Sequence, residues 1–197
     1  ELLRTTSLVI VKLARGPVPF PLVCGATVVT GYADQQTTLL DPDAIVREMN
    51  RLGMVIDLSH MAEAGAFRAL ELSTRPVMFT HTHISSAHSY HPRFISLELA
   101  RAAADAGGII GAWPAGIEVS DLAGFADRIF QLIDMVGIEH VCLGTDMDAN
   151  YKPVFDDYRR LPDLVAMLRR KGMSEQELAA FLGGNFMRVW SANLSVS

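Results

Sequence analysis

The chain has 197 residues, half of them apolar and a fifth charged, with a formal net charge of −5. That composition is globular and large enough for one core, and it excludes a disordered solvating tail. Acids and bases are interspersed, which excludes a basic stripe for nucleic acid, and no apolar run approaches the length of a membrane span.

In the first forty residues Leu8–Leu13 and Val23–Thr30 read as strands, joined irregularly through Pro17, Pro19 and Pro21. From Asp41 onward strand and helix signals alternate. Asp41-Pro42 reads as an N-cap with proline in the first turn, Ile45, Met49 and Leu52 recur at helical spacing, and Gly53 stops the helix. Met54–Ile56 is a short apolar strand, Met61–Ser73 a helix and Pro76–Thr80 the next strand. Leu97–Ala106 reads as a helix and Gly108–Trp113 as a strand. Ser120–Val136 is a long helix with Leu122, Phe125, Ile129, Leu132 and Val136 on one side. His140–Leu143 is a fourth strand, Leu161–Lys171 a helix, and Ser174 with Glu177 a capping box opening Glu175–Leu182. A short helix follows Gly183-Gly184-Asn185.

Strands apolar throughout and alternating with helices predict a parallel sheet covered on both faces. The expected fold is α/β, a TIM-type (β/α)₈ barrel of the metal-dependent hydrolase kind. Because 197 residues fall short of the roughly 250 of a closed barrel, its N-terminal half is expected to be incomplete. Residues 1–197 form a single domain on this reading, with 1–40 as an atypical N-terminal segment. Cys24 and Cys142 both sit in apolar stretches, which argues against a disulfide scaffold and for a cytoplasmic location.

In a parallel β/α fold, ligands meet the C-terminal ends of the strands. Three strand ends here are polar: Asp57-Leu58-Ser59-His60, Thr80-His81-Thr82-His83 and Gly144-Thr145-Asp146-Met147-Asp148. Neutral imidazole is a good zinc ligand, and a nearby carboxylate can take a proton from metal-bound water. A single histidine there is more simply a hydrogen-bonding strand cap. Two on adjacent strands with Asp146 across from them point to a metal site. His83, His88 and His91 crowd one loop and read as a solvent-facing turn or lid, while His140 at a strand entry reads as structural.

From about Asp43 to Trp190 the chain resembles the membrane (renal) dipeptidase family of zinc peptidases, peptidase family M19, in its C-terminal part. The resemblance rests on the run Arg47–His60, on Arg75-Pro76-Val77-Met78-Phe79-Thr80-His81 and on His91-Pro92-Arg93. It continues in Gly137–Val141, Gly144–Asp148 and Gly183-Gly184-Asn185-Phe186-Met187-Arg188-Val189. It makes 41–190 the catalytic portion of a zinc-dependent dipeptidase. His60 and His81 would be the histidine ligands of one zinc of a binuclear pair, and Asp146 would serve in proton transfer. Arg93 would bind the substrate carboxylate, which suits a guanidinium fork; its ordinary alternative is a solvated loop arginine. Asp57 and Asp148 would orient the ligands, although Asp57 reads equally well as a cap on the helix near Met61.

The chain departs from the family upstream of His60, where it has no His-x-Asp pair and no Glu between Glu1 and Glu48 to build the other metal site. A fragment, a short single-metal variant and a non-catalytic relative each account for that. A metal-dependent amidohydrolase acting on N-acyl amino acids or lactams is a further alternative. The expected partner is a small dipeptide, with no nucleic acid and no membrane segment, and a homo-oligomer is left open.

Overall fold

A computed structural model describes residues 42–86, 91–147 and 151–194. The expected strands before residue 40, the Asp41 cap, His88 and Asp148 lie outside these residues.

Helix α1, Pro42–Leu52, buries Val46 and Met49. It also buries Asn50, whose amide ties the helix to the next turn: Nδ2 donates to the Val46 carbonyl and to Ser73 Oγ, and Oδ1 accepts from the Thr74 N–H at 2.7 Å. Helix α2, Glu63–Leu72, is joined to α1 at the surface by an Arg68–Asp43 pair at 2.5 Å. The guanidinium of Arg68 holds the Asp43 carboxyl below the usual carboxylate range.

Strands β1 (Met78–Thr82), β2 (Ile109–Ala112) and β3 (Val141–Leu143) form a parallel sheet in the order β1-β2-β3. Helix α3, Leu97–Asp105, connects the first pair and α4, Leu122–Val136, the second. The segment expected as a strand at 54–56 adds only a bridge, Asp57 to Met78, beside β1. Two hydrogen bonds hold it, from the Leu58 N–H to the Met78 carbonyl and from the Met78 N–H to the Ile56 carbonyl. The described residues therefore form an arc of three strands and a stub, a mixed α/β fold in which no closed barrel is seen. Helix α4 starts on Asp121, whose side chain accepts from the Gly124 N–H at 2.8 Å, and ends at Gly137 with φ 89°. Helices α5 (Leu161–Arg170), α6 (Glu175–Ala179) and α7 (Asn185–Leu194) complete the chain. The expected capping box at Ser174 and Glu177 is present. A wide turn, Ala180–Gly184, kinks at Gly183 and links α6 to α7.

Strand alternation sorts the core into two layers. Val77, Phe79, Ile110 and Val141 pack under α1 to α6 with Leu99, Phe125, Ile129 and Phe181. Val55, Met78, Ile109 and Cys142 face the other way and are covered by Val189, Phe186 and Trp190 of α7. Each fully buried Phe or Ile contributes about 1.5–3 kcal/mol relative to exposure.

The sequence motif around Asn185 is an anchor for this second layer. Asn185 Nδ2 donates to the carbonyls of Ile138 (2.7 Å) and Val141 (2.8 Å). The Arg188 guanidinium donates to Gly107 and Glu139 carbonyls, Asn193 Nδ2 to the Pro76 carbonyl, and Arg75 back to the Ala192 and Asn193 carbonyls. All these contacts lie where the chain enters the strands. His140 is structural there as expected, its Nδ1 2.8 Å from the Gly108 carbonyl. No helix among the described residues is long and apolar enough to cross a membrane.

Candidate metal centre

The opposite end of the sheet brings the predicted residues together. The Nε2 atoms of His60 and His81 face each other at 2.8 Å, and Asp146 Oδ2 lies 3.5 Å from His81 Nε2. These side chains come from the ends of the 56–57 stub, β1 and β3, as the strand-end reading expects.

The local backbone is built for this convergence. β1 breaks register between Phe79 and Thr82, and that irregularity lets consecutive residues, Thr80 and His81, both serve the site. The Thr80 carbonyl crowds the centre of the sheet so closely that a Cβ at Gly111 or Gly144 would come within 2.0 Å of it. Glycine is thus required at the root of the Gly144-Thr145-Asp146 turn. His60 (φ 63°) and Asp146 (φ 44°) both take left-handed backbone, a conformation that costs non-glycine residues free energy and tends to gather at functional sites.

Asp57 organises the ring of His81. Its Oδ1 accepts from the N–H and hydroxyl of Ser59 and from the Thr80 N–H, and its Oδ2 accepts from the Thr80 hydroxyl at 2.7 Å. With its proton committed to Asp57, Thr80 Oγ1 accepts from His81 Nδ1–H at 2.9 Å. The hydrogen-bond network thereby assigns His81 the tautomer with a bare Nε2 lone pair pointing at His60. The Thr80 hydroxyl stands where a metal-bound histidine more often meets a carboxylate directly, and it passes on the same orienting pull. The Asp57 carboxylate is thus spent on Ser59 and Thr80 rather than on the first turn of α2.

Burial, opposed in part by the carboxylates of Asp146 and Asp57, holds the His81 pKa below its ordinary value. Burial and then the charges of His81 and Arg93 lower that of His60. Both rings are therefore neutral at pH 7, the form that binds metal. Arg93 is exposed on the loop after β1, close enough for its charge to act on both rings. Among the described residues no three His, Cys, Asp or Glu side chains are grouped to hold a metal. The donor set fits zinc as far as it goes: two convergent neutral imidazoles with a carboxylate alongside.

Three residues here escape the motif reading. Trp113, the residue after β2, is fully buried with its ring 5.7 Å from that of His81 and 6.2 Å from that of His60, and its Nε1 has no partner. His83 corrects the expectation of a solvent-facing turn. It is 3% exposed, its ring meets Phe94 edge-on at 5.1 Å, and burial with the nearby Arg128 charge pushes its pKa down to about 3. Arg128 on α4 is itself buried. Trp113 could have been found by applying the strand-end rule to the third strand as well. Arg128 could have been found from its place three residues after Phe125, on the buried stripe of its helix.

The model of the membrane dipeptidase family, peptidase family M19, matches residues 33–197. The chain belongs to that family. Its relatives include a dipeptidase of Clonostachys rogersoniana, 32% identical over 163 residues, covering 80% of this chain and 42% of the relative. A dipeptidase of Aspergillus oryzae is 35% identical over 158 residues, covering 75% of this chain and 37% of the relative. Among solved structures, a metallo peptidase from Rhodobacter sphaeroides liganded with a phosphinate mimic of the dipeptide L-Ala-D-Ala superposes with TM-score 0.71 at 25% identity. That match covers 77% of this chain and 46% of the other. The chain thus spans less than half the length of these relatives. These relatives are named as dipeptidases and a metallo peptidase, and the histidine pair is where the described residues bring two imidazole nitrogens together.

Proposed function

We propose that this chain carries one half of the active centre of a zinc-dependent dipeptidase. Its described sheet would be an arc of a (β/α)₈ barrel, with 41–190 as the catalytic portion of a single domain. The observation that carries the reading is the apposition of His60 and His81 Nε2 beside Asp146, on three separate strand ends.

His60 and His81 would hold the metal. Zinc bound there supplies water with its pKa lowered to about 7. Asp146, held beside His81, takes the proton released as water adds to the peptide carbonyl and returns it to the leaving amine. Arg93 receives the free carboxylate of the dipeptide in a bidentate pair. Asp57, through Thr80, keeps His81 in the ligating tautomer, and Asp148 is assigned the same orienting task.

The test uses the full-length protein. Zinc binding is measured by titration calorimetry and dipeptide hydrolysis in parallel. His60→Ala and His81→Ala should each weaken zinc binding by roughly 100-fold or more, at or beyond the 10–100-fold that loss of an orienting partner costs, and abolish turnover. Unchanged zinc affinity in both variants would overturn the assignment.

A further inference from the structure

Arg128 is 4% exposed. One amine of its guanidinium donates to the Ile117 carbonyl at 2.7 Å and the other, NH1, has no partner. Burial pushes its pKa down to about 10, opposed in part by the charge of Glu118, and burying a cation that no carboxylate contacts directly is costly.

The central carbon of that guanidinium lies over the ring of Phe94, 5.5 Å from its centroid. On other sides the ring meets His83 and His91, and Phe94 shares a buried cluster with Trp113 and Ala115. Phe94 is the residue after Arg93, and the backbone around them is pinned. Thr82 Oγ1 donates to the Arg93 carbonyl at 2.9 Å, the Ile95 N–H to the His83 carbonyl at 2.9 Å, and the Phe94 N–H to the His91 carbonyl at 2.8 Å. Arg93 therefore stands on a fixed platform with its side chain exposed. Phe94 is the underside of that platform, and Arg128 is the group that clamps it.

We propose that Arg128 is a positioning residue for Arg93, acting through Phe94. The same cluster contains Trp113, whose ring meets both histidines edge-on, so the platform also sets the span between the metal ligands and the carboxylate-binding group. That span must match one dipeptide, from its scissile carbonyl to its terminal carboxylate. The inference rests on the reading of Arg93 given above.

The experiment compares steady-state kinetics of the full-length protein on a dipeptide and on the same dipeptide amidated at its C-terminus. Wild type should favour the free acid, and Arg93→Met should erase that preference. Arg128→Met should raise KM for the free acid on the order of tenfold, leave kcat and zinc stoichiometry close to wild type, and leave the amide unchanged. Arg128→Lys, which keeps a cation over the ring, should recover part of the loss. A purely structural role would lower activity on both substrates alike. Should Arg128→Met not fold, Arg128→Lys and Phe94→Leu carry the test, each with a selective rise in KM for the acid. If wild type shows no preference for the acid, the role of Arg93 falls. If wild type and Arg93→Met behave as stated but the Arg128 and Phe94 variants keep a wild-type KM, the positioning role is overturned.

Discussion

The two ends of the sheet are built on opposite principles. Where the chain enters the strands, the side chains of α7 donate to main-chain carbonyls from Pro76 to Val141, and among the buried side-chain atoms of the described residues there, Asn193 Oδ1 alone lacks a partner. Where it leaves them, the structure tolerates strain and unmet hydrogen bonds. All four described non-glycine residues with left-handed backbone, His60, Glu118, Asp146 and Lys152, lie in segments that follow strand C-terminal ends. The unpartnered atoms of His83, Trp113 and Arg128 cluster at that same end. The difference shows a division of labour: one end holds the fold together, and the other keeps reactive groups in positions that stability alone would not select.

Substitutions at three positions would break or sharpen that contrast. The largest effect is expected at the satisfied end. Asn185→Ala strips donors from two strand-entry carbonyls and should cost about 3 kcal/mol, lowering the melting temperature by roughly 6–12 °C for a domain of this size. A loss below 1 kcal/mol in chemical denaturation would remove the special status of that end.

The next effect is acid sensitivity at the strained end. His83 titrates near 3 when folded, against an ordinary 6.5, because burial and then Arg128 disfavour its charged form. Above pH 6.5 neither state protonates it and its contribution is level. As pH falls from 6.5 toward 3 only the unfolded chain takes up the proton, so stability declines by about 2 kcal/mol at pH 5. His83→Leu should flatten that part of the pH profile relative to wild type, and parallel profiles for the two proteins would contradict the assignment.

The smallest effect is at His60. In the metal-free protein His60→Gly should be about 1 kcal/mol more stable than His60→Ala, because only alanine retains the cost of left-handed backbone. Equal melting curves for the two would mean that the positive φ stores no strain.

Much of this was legible in sequence, for identifiable reasons. Helices and strands from residue 42 onward follow from period and caps, because each element buries one face and is stopped by a glycine or a cap. The pairing of His60 with His81, and Asp146 beside them, followed from a rule of topology applied to strand ends. The stub at 56–57 read as a full strand because apolar Met54, Val55 and Ile56 look the same whether or not a neighbour pairs with them. His83 read as solvent-facing because its polar neighbours suggest a loop, while its burial comes from Phe94 and from Arg128, forty-five residues on. A lone arginine in a helix carries no local sign that its cation will be turned inward, apart from the phase of the helix itself.

The anchoring of α7 also bears on how the chain assembles. Its hooks reach back 44 residues from Asn185 to Val141, 81 from Arg188 to Gly107 and 117 from Asn193 to Pro76. Contacts of such separation close late, after local helices and neighbouring strands have formed. Each hook finds its carbonyl only if the strand behind it is already in register. The last helix thus ties together the entry ends of β3, β2 and β1, and its full set of bonds can form only when all three are in register.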